Sequence, residues 1–156
     1  MGRIYALPLA RTAVTAAVDL AEILTAATHV CCIHAIELSQ STEVKDAEEE
    51  MLQLAWKSGQ TTSGSGGNTG VTPIPRLIGD AAHGMTIETF NTTKASAGTI
   101  VTHGVWDWNV RIPFEMIFTP ETRLWIPPST RATLELVGAP ADSVTIGGQI
   151  VLEVIG

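Results

Sequence analysis

Between positions 105 and 156 the chain alternates apolar and polar residues in short runs: VWDWNVRI, PFEMIF, TRLWIPP, STRATLELVG and QIVLEVIG. Each run is rich in β-branched or aromatic residues and is closed by Pro, Gly or a polar turn, the spacing of an antiparallel β-protein. The alternation puts Trp106, Trp108, Val110 and Ile112 on one face, then Leu134 and Leu136, then Ile150, Leu152 and Val154. Period two with a single apolar face predicts strands that bury one side of a sheet against a second sheet.

The first hundred residues are less regular. Residues 4–15 (IYALPLARTAVT) read as a strand, and Pro8, which has no N–H to give a ladder, belongs at a sheet edge or a bulge. The stretch 16–27 (AAVDLAEILTAA) has the alanine content of a helix, with Asp19 available as its cap. Such a helix would have only about three turns and be marginal without packing. A short strand at 20–24 is therefore expected, with a helical turn as the alternative. Residues 29–39 form a strong strand with Val30, Cys32, Ile36 and Leu38 on one face and His34 among them. The acidic run that follows, with Asp46, Glu48, Glu49 and Glu50, has no apolar period and reads as a solvated connection. Residues 50–57 return as a strand with Leu52, Leu54 and Trp56 on one side, expected to pair with 29–39 as a long-looped hairpin.

Residues 58–84 stand apart. The first half is rich in Gly, Ser and Thr, and Gly64, Gly66 and Gly67 read as a flexible linker. The second half carries Val71, Ile74, Leu77 and Ile78, enough apolar mass to dock on the domain or on a neighbouring subunit. A structureless stretch longer than about 12–15 residues in a compact domain is usually functional or disordered. A strand at 85–90 and a loop at 91–99 lead into the C-terminal series. The sum is an all-β, antiparallel β-sandwich of about eight or nine strands, jelly-roll-like, in one domain over 1–156 with an arm at 58–84.

Composition sharpens this picture. A chain of 156 residues can bury roughly 68–70% of the surface its unfolded form exposes. Only 16% of residues are charged, against a usual ~25%. So little ionic surface suggests that part of it is covered by other copies or by another protein. The net charge is −7 and the nine basic residues are scattered, which argues against a nucleic-acid partner, since phosphates need a basic patch. Cys31 and Cys32 are neighbours that a strand would point to opposite faces, so free thiols and a reducing cytosol are expected. Nothing approaches the ~20 apolar residues of a membrane span.

Candidate chemistry is sparse. His29, His34, His83 and His103 form no HxH or HExxH pattern, so no metal is expected. The acidic run lacks the alternating oxygen ligands of a calcium loop. No GxSxG nucleophile elbow is present. Cys32 and His34 could meet on one strand face, but so apolar a strand favours a buried thiol over a nucleophile. Glu115 and Glu121 carry no burial signature in the sequence that would split their pKa values. The glycines at 64, 66 and 67 precede neither a helix nor a GKS or GKT, so they are not a phosphate cradle. Trp106 and Trp108 are two residues apart and read as core, or else as a platform for a sugar ring. No catalysis and no cofactor are expected.

One likeness draws these features together. VTAAVDLAEI, IELSQST with its following acidic EEE, GSGGNTGVTPIP, the NTT at 91–93, IPPST at 126–130 and the ending GAPADSVTIGGQIVLEVIG carry it. Taken together they resemble the small β-sandwich proteins encoded among head genes of tailed bacteriophages, which decorate or cement the capsid shell. The resemblance implies a homo-oligomer, often a trimer, bound to the major capsid protein on the outer surface of the virion and made in the host cytoplasm. Partner contacts are expected at Trp125, which is out of phase with Leu124 and Ile126, and at Arg123, Ile74, Leu77, Ile78 and Tyr5. The rival reading is a carbohydrate- or receptor-binding module that uses an exposed tryptophan.

Overall fold

The computed structural model describes residues 2–42 and 50–156. In chain order the strands are β1 (Arg3–Val14), β2 (Asp19–Thr25), β3 (Val30–Gln40), β4 (Met51–Thr62), β5 (Asn68–Thr69), β6 (Ile74–Pro75), β7 (Met85–Asn91), β8 (Ser96–Asn109), β9 (Phe114–Ile117), β10 (Leu124–Ile126), β11 (Arg131–Leu136) and β12 (Val144–Ile155). No helix occurs among the described residues.

The strands form two antiparallel sheets. The first runs β10-β3-β12-β1-β6, with β9 in line with β10 along the same side of β3. The second runs β5-β7-β2-β11-β4-β8. Taking β9 and β10 as one interrupted strand and setting aside β5, β6 and β7 leaves β1-β12-β3-β9/β10 over β2-β11-β4-β8. That order is the eight-stranded jelly roll. The chain between β4 and β8 is an insertion that adds β6 beside β1 and β7 beside β2, so one side of the sandwich gains strands on both sheets. This insertion, together with the break between β9 and β10, raises the strand count above the eight or nine expected.

The core lies between the sheets and follows the period-two faces. Leu52, Leu54 and Trp56 of β4, Leu134 and Leu136 of β11, and Ile150, Leu152 and Val154 of β12 are all buried there. Within 16–27 the strand is Asp19–Thr25, slightly longer than the 20–24 expected, and Asp19 is not a helix cap but a buried residue at the start of β2. Pro8 pairs with Gln149 of β12, next to a bulge in β1 and beyond the short pairing with β6.

Several expectations are overturned. β3 and β4 are not a hairpin: they lie in opposite sheets. The inward face of β3 is Cys31, Ile33, Ile36 and Leu38, not Val30, Cys32, Ile36 and Leu38. The cause is a bulge in which Val151 opposes Ala35 while Leu152 opposes Ile33, leaving His34 as the extra residue. One extra residue reverses the phase of everything beyond it. The loop expected at 91–99 is shorter, because β8 starts at Ser96. Ile112 leaves the core face at the turn after β8 and is exposed. The acidic connection falls largely on residues 43–49, outside the described residues.

The segment 58–84 is anchored along much of its length. Residues up to Thr62 continue β4, Ser65 bridges Thr93, and β5 pairs with β7. Gly67 lies against the carbonyl groups of Thr89 and Phe90, where any side chain would collide. It serves close backbone approach rather than flexibility. Val71 packs against the core, and β6 then pairs with β1.

Candidate interaction surface

The two outer faces of the sandwich are chemically different. On the second sheet, acidic side chains are buried beneath the two ends of the insertion. Glu22, 3% exposed, accepts hydrogen bonds from the Ser63 hydroxyl (2.7 Å), the Gly64 N–H (2.9 Å) and the Asn91 amide (3.0 Å), and it pairs with Arg131 Nε at 2.6 Å. Glu135 pairs with Lys57 and Lys94, each at 2.6 Å. Burial alone would raise the Glu135 pKa, but the hydrogen bonds from the two lysines outweigh it and leave the carboxyl below its ordinary value. Asp19 accepts from the Ala95 N–H at 2.7 Å. Burial pushes its carboxyl up to about 6, the Ala95 bond opposes the shift, and nearby Glu135 and Glu22 add to it. The start of the insertion is therefore tied to Glu22, and its end to Asp19 and Glu135.

The outer face of the first sheet exposes large apolar side chains at its two edges. Cross-strand register aligns Ile74 of β6, Ala6 of β1, Val151 of β12, Ala35 of β3 and Ile117 of β9 in one row. At the usual strand spacing this row is about 19 Å long. Ile74 is 60% and Ile117 67% exposed, while the alanines between them are buried. The neighbouring row is Ile4, Glu153, Cys32 and Trp125, with Trp125 52% exposed. Ile155 and Val30 oppose each other beyond it.

Polar groups frame this face. His34 Nε2 lies 3.0 Å from Glu153 Oε2, so the bulge that spoiled the period also supplies a hydrogen-bond partner for Glu153. Arg76 donates to Gln149 (3.2 Å), and Gln149 donates to Glu37 (2.7 Å), directly opposite Glu115. Glu37, Glu115, Pro113 and Phe114 line a shallow cleft of about 350 Å3.

The expected contact residues divide. Trp125 and Ile74 share this face from opposite edges of the sheet. Arg123 precedes β10 close enough to Cys32 to act on its thiol, and its Nε is buried without a hydrogen-bond partner. Leu77 and Ile78 follow β6 on a turn closed by Asp80 N–H on Leu77 O, and they are 67% and 98% exposed. Tyr5 does not belong to the surface. It points into the core, 1% exposed, and its hydroxyl donates to Ala81 O at 2.6 Å. Ile117, Ile4 and Val151 were missed. For Ile117 the signal was available, since alternation in PFEMIF sends it to the face opposite Phe114 and Met116.

Burial raises both thiols; for Cys32, Arg123 opposes the rise and Glu153 adds to it, and for Cys31, Cys32 adds to it. No group of three or more His, Cys, Asp or Glu that could hold a metal occurs among the described residues. Trp108 is buried with its indole N–H on Ile112 O (2.7 Å), and Trp106 meets Phe114 and Phe118 edge-on at 6.4 and 6.0 Å. Trp108 belongs to the core and Trp106 packs on it partly buried, so among the four tryptophans Trp125 offers the half-exposed ring to a sugar. Comparison with protein-family models, curated proteins and solved structures found no match.

Proposed function

We propose that this protein is a non-catalytic structural protein that binds a phage capsid shell as a homo-oligomer and stabilises it. The outer face of the first sheet is its docking surface and the major capsid protein its partner. The observation that supports this reading is the unbroken apolar row from Ile74 to Ile117, flanked by Trp125. Covering roughly 300 Å2 of such surface is worth about 7 kcal/mol before the cost of association is subtracted. A single site of that size binds weakly, and repetition over a shell multiplies it. The polar frame of Arg76, Arg123, Glu37 and Glu115 would set orientation more than strength.

The test is co-sedimentation with purified shells. Replacing Ile117 with Asp should abolish binding, and Trp125→Ala should weaken it by about 2 kcal/mol, roughly thirtyfold. Both variants should melt within a few degrees of the parent, because neither side chain is in the core. Binding that survives both substitutions removes the reading. The half-exposed ring of Trp125 keeps carbohydrate binding as the second reading; it predicts a tryptophan fluorescence change on titration with glycans and none with shells.

A further inference from the structure

The four sheet edges are unequally protected. β5 and β6 are two residues long, and β6 ends in Pro75. The β9/β10 edge is interrupted at 118–123 and bracketed by Pro113 and Pro127. Each has a feature that discourages another strand from adding. β8 is fourteen residues long, contains no proline, lysine or arginine, and has Asp107 as its one carboxylate. Among the described residues it pairs with β4 alone. Bulges beside His103 and between Gly98 and Val101 twist its first half. Beyond them, 104–109 keeps unbroken register with β4.

We propose that β8 is the seam at which a second copy of this chain adds, antiparallel and edge to edge, joining the second sheets of two molecules into one. This deepens the self-association in the function proposed above and does not depend on a shell being the partner. A second copy fits for three reasons. A twofold axis brings identical edges together, so no other complementary surface is needed. Two chains of net charge −7 repel, and β8 is a stretch where they can approach nearly free of like charge. With the pairing centred on Trp106, each Asp107 lies opposite Val105 of the other copy, never opposite Asp107, and the two Trp106 rings become cross-strand neighbours. Trp106 is packed on the core but only partly buried, and Val105 is 51% exposed; the seam would cover what both leave open. Such a seam closes on two copies, not on the three that the resemblance implies.

The test is solution mass by light scattering over a concentration series, without shells. The parent should approach twice 16.5 kDa. V105E sets a second carboxylate against each Asp107 and should weaken the dimer roughly tenfold or more. V105K sets a cation there and should keep or tighten it. Circular dichroism of both variants should match the parent, since residue 105 is solvent-facing. Ile117→Asp and Trp125→Ala, on the other sheet, should leave the mass unchanged, which separates this seam from the docking surface. A parent that stays at one chain or forms three overturns the proposal, and so does a V105E dimer or a V105K monomer.

Discussion

Asp19 is a carboxyl that the fold prefers neutral. Its folded pKa of about 6 lies above the ordinary 3.8, so between those values the folded chain holds a proton that the unfolded chain has released. Stability should therefore fall as pH rises from about 4 to 6 and stay level above that window, as far as this group is concerned. Asp19→Asn keeps an acceptor for the Ala95 N–H and removes the buried charge beside Glu135 and Glu22. Urea denaturation should find it about 1–2 kcal/mol more stable than the parent at pH 8, and no different near pH 4. Tyr5→Phe removes the bond to Ala81 and should cost about 1 kcal/mol, with faster proteolysis around 81–84 as the sign that this segment has come loose. These two residues show what alternation conceals. IYALPLA makes Tyr5 and Ile4 opposite in phase but does not say which phase faces inward; Tyr5 faces the core and Ile4 the surface, the reverse of a contact role for Tyr5. Asp19 reads in sequence like a helix cap because its partner, Ala95, is distant along the chain.

The elements were legible where a strand is regular. Alternation found the buried faces of β4, β11 and β12 without help from the structure. It failed on β3, where His34 inserts one residue, because a bulge leaves no mark in a hydrophobic pattern. It failed more widely on the first half of 58–84, since a Gly- and Ser-rich sequence looks the same whether it is a linker or a strap held by distant carboxylates, whereas the apolar second half docks on the domain through Val71 and β6. The strap has a measurable consequence. Glu22→Ala would take the carboxylate from Arg131 and leave the Ser63 and Gly64 donors without their acceptor, while the Asn91 amide would keep only its bond to Glu88; it should cost about 3–5 kcal/mol. Gly67→Ala would push a methyl group into the β7 backbone and should cost about 1–3 kcal/mol. Thermal melts should therefore rank Glu22→Ala below Gly67→Ala, with both below the parent. If Gly67 lay in a free linker, its substitution would be neutral or slightly stabilising.

At the scale of the whole molecule, the low charged fraction suggests a shared surface but does not say which. The low charged fraction is an average over a charged, largely buried network on one face and a bare apolar row on the other. Only the cross-strand register, which places Ile74 and Ile117 at the ends of one line, turns scattered isoleucines into a surface. The topology also constrains how the chain can fold. β12, the last strand in chain order, sits between β1 and β3 at the centre of the first sheet. Until residues 144–155 have left the ribosome, β1 and β3 have no strand between them and their inward leucines and isoleucines stay wet. Half of the sandwich must therefore wait until β12 has been made. Refolding should be slow for a domain of this size, as expected when the decisive pairings join residues far apart in sequence, and a chain stopped short of residue 144 should aggregate rather than fold.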